Sequence, residues 1–282
     1  MEKTISIWSS VPKFKEKETD HIILQKNQIH EGELILVNRN HPVKMLSPDL
    51  IHLPTDMLQV VSPEEPFIQL EKACTFQLTN LIDYCGGREE IAIVSGYRTR
   101  EAQNKLYCKS LIENGKEFTT KYVALPGASE HQTGLAVDVG IHQLETDYIR
   151  PEFPDKGVGR KFREEATEFG FIRRYKDEKS DITGIADEPW HYRFVGHPHS
   201  VIIDQKNLCL EEYINYIKQF QYGKKHLYLE LGDHLYEIYF TFAERNFTTI
   251  TVPANDCNWT ISGNNVDGFI VTTHYLKWGD RK

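Results

Sequence analysis

Positive charge is in short supply in this chain. Its 33 Lys and Arg stand against 41 Asp and Glu, a formal net charge of −8 over 282 residues. That balance argues against nucleic acid or an anionic membrane as the main partner, because both are held first by basic surface. Long apolar runs are missing as well. No window approaches the ~18 residues of a membrane-spanning helix, and the opening MEKTISIWSSVPKFKEKETD holds no stretch of signal-peptide length. The expectation is a soluble, cytoplasmic protein with no membrane span. Cysteine is sparse: Cys74, Cys85, Cys108, Cys209 and Cys257 make an odd count without a CxxC pair. A disulfide framework is thereby disfavoured, and buried free thiols in a reducing compartment are expected. No internal repeat is visible.

What is there is ordinary globular material, 40% hydrophobic and 11% aromatic, enough for a sizeable core. The length suits one large domain, or a domain of roughly 190 residues with an appendage. Residues 1–30 are mixed and polar and read as an N-terminal extension. Glu33-Leu34-Ile35-Leu36-Val37 reads as a buried strand. Ser62-Pro63-Glu64-Glu65 has the form of a capping box, and Phe67, Leu70, Cys74, Leu78, Leu81 and Cys85 follow on one helical face up to Gly86-Gly87. Ile91–Val94 is a buried strand, and Thr99 is the expected N-cap of the next helix. From Gly223 the texture turns β-rich, with strands expected over 226–231, 235–242, 247–252 and 269–275. The domain reading is therefore 1–30, 31–222 and 223–282.

Chemistry concentrates in Ser129-Glu-His131-Gln-Thr-Gly134-Leu-Ala136-Val-Asp138 and in Glu188-Pro189-Trp190-His191. In the strand Leu135–Gly140, the leucine and valines take one face while Ala136, Asp138 and Gly140 take the other. A carboxylate there is expensive to bury without a strong partner, and a metal is such a partner. His131, Asp138 and His191 are two imidazoles and one carboxylate, a three-point zinc site that leaves a position open for water. Pro189 restricts Glu188 to the turn before the strand, where it is placed to act as general base. Arg98, where a strand gives way to a helix, is the candidate for stabilising an oxyanion. Manganese and iron remain compatible with these residue types. From the residues alone, the reading is an amide or peptide hydrolase.

Ser95-Gly96-Tyr97-Arg98, then Ser129-x-His131-x-x-Gly134-x-Ala136-x-Asp138, then Glu188-x-Trp190-His191 together resemble the zinc D-Ala-D-Ala peptidases. The nearest likeness is to the VanXY-type D,D-dipeptidase/D,D-carboxypeptidases of vancomycin resistance, over about 31–222 with a similar β-rich tail. The resemblance implies an α+β fold of the Hedgehog/DD-peptidase kind, a central mixed or antiparallel sheet flanked by helices. It implies one Zn2+ per chain on His131, Asp138 and His191, Glu188 as base and Arg98 on the scissile carbonyl. Gln103 and Ser129 match positions expected to meet substrate, a small peptide ending in D-Ala-D-Ala.

Two other readings share these residues. An L-alanyl-D-glutamate wall endopeptidase uses the same metal motif, and a non-catalytic zinc-stabilised binding domain needs only the ligands. Neither Glu188 nor Arg98 is required by a purely structural zinc site, which favours the enzyme. Asp147, Glu152 and Asp155 are candidates for holding a free amino terminus of the substrate.

Overall fold

The structure, a computed structural model, describes residues 6–8, 18–44, 47–59, 67–142, 147, 149–254 and 257–276. Chain contacts divide the protein into two units, Val37–Glu211 and a second made of Met1–Leu36 with Glu212–Lys282. Strands β1 (Ser6–Trp8) and β2 (Thr19–Gln25) belong to the second unit. The first unit then carries β3 (Leu50–His52), β4 (Gln69–Glu71), α1 (Lys72–Cys85), β5 (Ile91–Ser95), α2 (Arg100–Glu113) and α3 (Gly115–Tyr122). It continues with β6 (Ala136–Ile141), α4 (Gly157–Glu165), β7 (Phe171–Arg173), α5 (Ser180–Thr183), β8 (His191–Phe194) and α6 (His199–Gln205). After α7 (Leu210–Ile217) come β9 (Leu227–Leu231), β10 (His234–Phe242), β11 (Phe247–Pro253), β12 (Asn258–Gly263) and β13 (Gly268–Leu276). The fold is α+β, as the motifs imply.

The centre of the first unit is a four-stranded sheet in the order β5-β6-β8-β7 with every pair antiparallel. All five residues of β5 are buried, which explains a continuous apolar run in place of an alternating one. In β6 the expected alternation holds, but the face bearing Ala136, Asp138 and Gly140 is buried too. That face carries the chemistry. Helix α1 buries Cys74, Leu78, Leu81, Ile82 and Cys85 and ends on Gly86 at φ 72°, the left-handed turn that glycine accepts without strain.

The start of that helix differs from expectation. Ser62–Glu65 lie outside the described residues, Phe67 is exposed, and Leu70 sits in β4 opposite Ile51 of β3. Pairing keeps the backbone extended through Glu71, whose carboxylate then caps α1 by accepting the N–H of Cys74. Thr99 caps α2 as expected, its hydroxyl accepting the N–H of Ala102. Helix α3 was not anticipated, because it buries only Thr119 and so has no apolar stripe to read.

Residues 33–37 are a second correction. Leu34, Ile35, Leu36 and Val37 are buried but form no strand. The Leu34 N–H donates to the Ser262 hydroxyl, the Leu36 N–H to the Asn264 carbonyl, and the Leu36 carbonyl accepts from the Asn265 amide. A turn has satisfied backbone groups that a ladder would otherwise serve. An apolar run reports burial, and β pairing is a separate matter.

In the second unit a five-stranded antiparallel sheet runs β1-β9-β10-β13-β12, and β2 pairs with β11 over Thr19–Gln25 and Phe247–Pro253. Its core packs Ile29, Tyr239, Ile250, Val252, Phe269 and Val271. The N-terminal residues therefore join the β-rich tail, and the contacts divide the chain after Leu36 and Glu211, not after residues 30 and 222. Strand β12 had not been expected; its first three residues are exposed, so it offers little apolar signal. Cys74, Cys85 and Cys209 are buried as anticipated, Cys257 is half-buried, and Cys108 is exposed on the weakly apolar α2.

Candidate active site

Sheet register assembles the site. Asp138 on β6 stands directly opposite His191 on β8 and Ser95 on β5, and directly opposed side chains share a face about 5 Å apart. His131 arrives from a one-turn 3-10 helix, Glu130–Thr133, that ends on Gly134 at φ 74°. The Thr133 hydroxyl donates to the Glu130 carbonyl (2.6 Å) and accepts the Leu135 N–H (3.1 Å), which pins this turn to the start of β6. A Cβ on Gly134 would lie 2.9 Å from the Glu71 backbone nitrogen, so both the close approach and the positive φ require glycine.

The three candidate ligands converge. One donor atom each from His131, Asp138 and His191 lies within 4.8 Å of the others, and all three residues are buried. His131 Nε2 is 3.1 Å from one Asp138 oxygen and His191 Nδ1 is 2.9 Å from the other. The His131 Nδ1–H donates to the Gly96 carbonyl at 2.7 Å, which leaves Nε2 as the lone-pair nitrogen on the inner side. The far nitrogen of His191, Nε2, faces a carboxylate oxygen of Glu130 at 3.4 Å.

Protonation tells the same story. Burial lowers the proton affinity of His191, but its contacts with Asp138 and Glu130 and the charge of Glu188 outweigh that and push its pKa up to about 10. Burial likewise works against the Asp138 anion, yet the two histidines hold its carboxyl well below the usual range. Burial and the nearby Arg98 lower the proton affinity of His131 against the pull of Asp138. Burial raises Glu188 to about 8, the negative charges of Asp138 and Glu130 adding to it against His191 and Arg98. Without a metal, then, this cluster gathers protons because it is short of positive charge. A divalent cation meets that shortage, and two inward imidazole nitrogens beside one carboxylate are a donor set that suits zinc.

Glu188 sits on the turn before β8. Its carbonyl accepts the His191 N–H (3.3 Å), and its own N–H donates to the carbonyl of Tyr175 (2.9 Å). Its carboxylate oxygen lies 3.9 Å from His191 Nδ1, beside the ligand triad and not within it. About 480 Å³ of empty space, part of it open solvent, adjoins these groups. Arg98, Gln103, Ser129, Tyr122, Ile149 and Trp190 line the same space. A larger groove in the second unit, by Gln25, His30, Arg245 and Phe247, has no comparable convergence of buried titratable groups among the described residues.

Arg98 is held at two points: one guanidinium nitrogen donates to Gln103 Oε1 (2.8 Å), the other to the Ser95 hydroxyl (2.6 Å). Gln103 in turn donates to the Ala124 carbonyl at 2.8 Å and is 1% exposed. Although Gln103 lines the cavity, its amide is occupied in orienting Arg98. Asp147, Glu152 and Asp155 do not line it. Asp147 accepts the N–H groups of Ile149 and Arg150, and Asp155 pairs with Arg163 at 2.9 Å.

Sequence reading passed over Glu130 and Tyr175. Glu130 is wedged between Ser129 and His131 in the motif, and its adjacency to a ligand was the available signal. Tyr175 adopts φ 66°, uncommon for a bulky residue, and lays its ring 4.9 Å from that of His191. No local pattern announces that.

The sequence profile of the VanY family, described as D-alanyl-D-alanine carboxypeptidase, matches residues 68–197. Identity is 42% over 187 residues to the bifunctional D-Ala-D-Ala dipeptidase and D-Ala-D-Ala carboxypeptidase VanXYC of Enterococcus gallinarum, covering 66% of this chain and 95% of that protein. The chain belongs to the VanY family of D-alanyl-D-alanine carboxypeptidases. Among solved structures, the vancomycin-resistance D,D-dipeptidase VanXYg in complex with a D-Ala-D-Ala phosphinate analogue superposes with a TM-score of 0.84 at 40% identity, over 91% of this chain and 99% of that one. A VanY D,D-pentapeptidase mutant from the VanB-type resistance cassette, in complex with Zn(II), gives 0.54 at 33% identity over 65% of this chain and 99% of its own. The VanY-family motifs of the chain and its triad of ligand atoms thus fall in one place.

Proposed function

We propose that this VanY-family chain is a zinc-dependent D,D-peptidase, cleaving D-Ala-D-Ala, removing the C-terminal D-Ala of peptidoglycan precursors, or both. One observation carries the reading: Glu188 is buried beside the His131–Asp138–His191 triad but is not part of it. A structural metal site has no use for such a carboxylate, whereas a hydrolase needs a base there.

His131 Nε2, an Asp138 oxygen and His191 Nδ1 would hold one Zn2+. The bound ion would supply Lewis acidity, acidifying a water and polarising the scissile carbonyl. Glu188 takes the proton of the attacking water on its carboxylate and returns it to the departing amide nitrogen. Arg98, kept rigid by Gln103 and Ser95, donates to the carbonyl oxygen as negative charge develops on it. Ser129 donates to the terminal carboxylate of the substrate. Tyr122, Ile149 and Trp190 give the cavity apolar wall, which suits small D-alanyl methyl groups. With cytosolic precursors as substrate the enzyme would work in the cytoplasm, a reading supported by a sparse, odd set of cysteines without a CxxC pair. No helix among the described residues is long and apolar enough to cross a membrane.

The deciding assay offers purified protein D-Ala-D-Ala and, separately, a pentapeptide precursor, each with and without chelator. Release of D-Ala from at least one, abolished by chelator and restored by Zn2+, is expected. No release from either refutes the proposal. A parallel peptide with an L-alanyl-D-glutamate bond tests the endopeptidase reading, and cleavage of that bond alone would replace the D,D assignment.

A further inference from the structure

Glu130 takes no part in the chemistry above, yet it is one of the most thoroughly buried carboxylates of the chain, at 1% exposure. Its Oε1 accepts from Arg174 Nε and from Arg193 Nη1, both at 3.0 Å. Arg174 turns its other two nitrogens to Glu211, at 2.6 and 2.9 Å. Two guanidinium and two carboxylate groups thus form a neutral quartet, with both arginines almost wholly out of solvent. Burying four charges is costly even when they are paired, and a pin between a loop and a strand could be made from apolar residues. Something more specific is obtained from the remaining oxygen. Glu130 Oε2 faces His191 Nε2 at 3.4 Å, while Nδ1 of the same ring is turned to Asp138 at 2.9 Å.

Once an ion takes the place of any proton on His191 Nδ1, the donor and acceptor inventory leaves one arrangement. Two guanidinium charges at 3.0 Å favour the ionised form of Glu130, in which both its oxygens can only accept. The His191 nitrogen facing it must therefore carry the hydrogen. A neutral imidazole with hydrogen on Nε2 has its lone pair on Nδ1, the atom that points into the ligand triad. We propose that Glu130 is a positioning residue for metal binding: clamped by Arg174 and Arg193, it fixes the tautomer and ring plane of His191 so that Nδ1 is presented to the ion. His131 achieves the same end with a backbone acceptor, the Gly96 carbonyl. The inference rests on the metal-site reading given above.

The test compares two variants that remove the same charge from the quartet. In Glu130→Gln the two arginines claim the amide oxygen, so the NH2 group is turned to His191 Nε2. Donor then meets donor, and relief requires moving hydrogen to Nδ1, which blocks the ligand atom. Glu211→Gln leaves His191 untouched. Zinc affinity by competition with a chromogenic chelator should fall on the order of 10- to 100-fold in Glu130→Gln and stay near wild type in Glu211→Gln. Nitrogen-15 spectra of histidine-labelled, zinc-loaded wild type should show His191 protonated on Nε2 and coordinated through Nδ1. Equal affinity losses in the two variants, no loss in Glu130→Gln, or a wild-type His191 protonated on Nδ1 would each overturn the proposal. Should Glu130→Gln fail to fold, Glu130→Gln/Arg193→Gln keeps the cluster neutral and is read in the same assay. A wild type that binds no zinc refutes the metal site itself and this proposal with it; zinc-binding wild type with an unaffected Glu130→Gln refutes this proposal alone.

Discussion

Glu188 should destabilise the metal-free protein it serves. Its carboxyl is buried among Asp138, Glu130 and His191, and burial first, then the two negative charges, raise its pKa from 4.5 to about 8. Below the ordinary value the group is protonated whether the chain is folded or not, and it has no effect on the balance. Between the ordinary value and about 8, the unfolded chain releases the proton and the folded chain keeps it, so stability falls as pH rises. Above that range the loss is complete. At about 1.4 kcal/mol per pKa unit, a shift of this size sets an upper limit on the order of 5 kcal/mol. Glu188→Gln keeps the shape and removes the ionisation. In chelator-treated protein, urea unfolding should find the variant more stable than wild type at pH 8 by a few kcal/mol, the gap closing toward pH 5. With zinc present the gap should shrink, because the ion's charge favours the carboxylate. The same variant should keep stoichiometric zinc while turnover falls about 10²- to 10⁴-fold. A variant less stable at pH 8, or a gap independent of pH, would refute the electrostatic account. Loss of zinc would make Glu188 a ligand.

Three other expectations are more local. Gln103→Ala removes one of the two anchors of Arg98 and should lower kcat about tenfold, the worth of one charged hydrogen bond; an unchanged kcat would return Gln103 to the cavity wall. Gly134→Ala puts a Cβ 2.9 Å from the Glu71 backbone nitrogen at φ 74° and should cost about 2–3 kcal/mol in thermal or urea unfolding, with zinc affinity falling as the His131 turn loosens. In the second unit, burial raises Glu237, but hydrogen bonds from His226 (2.6 Å), Tyr228 (2.8 Å) and Tyr275 (2.9 Å) outweigh it and hold the carboxyl below its ordinary value. That stabilisation is present above pH 4.5 and is lost as pH falls through the folded value, so Glu237→Gln should flatten the acid limb of the stability curve; an unchanged limb would count against it.

Much of the site could be read without a structure because its signals are local. A carboxylate on the small-residue face of β6 asked for a partner, Pro189 set Glu188 on a turn, and Thr99 announced the helix that follows Arg98. The start of α1 at Lys72, past Phe67 and Leu70, and the missing strand at 33–37 show the limit of such signals. In both places backbone groups found partners far along the chain, Leu70 beside Ile51 and Leu36 on Asn264 and Asn265, and no window of ten residues contains that information. The N-terminal strands failed for the same reason, since β2 has its partner in β11.

By itself the sequence determined which side chains could bind a metal, which could move a proton, and where turns interrupt the chain, because those properties belong to single residues and their immediate neighbours. Only the tertiary structure decided which nitrogen of each histidine faces inward, that Gln103 serves Arg98, and that Glu130 stands behind His191. Those are matters of register and burial. The pairing of β6 with β5 and β8 brings Ser95, Asp138 and His191 abreast, and removal of water makes each remaining hydrogen-bond partner a constraint on protonation.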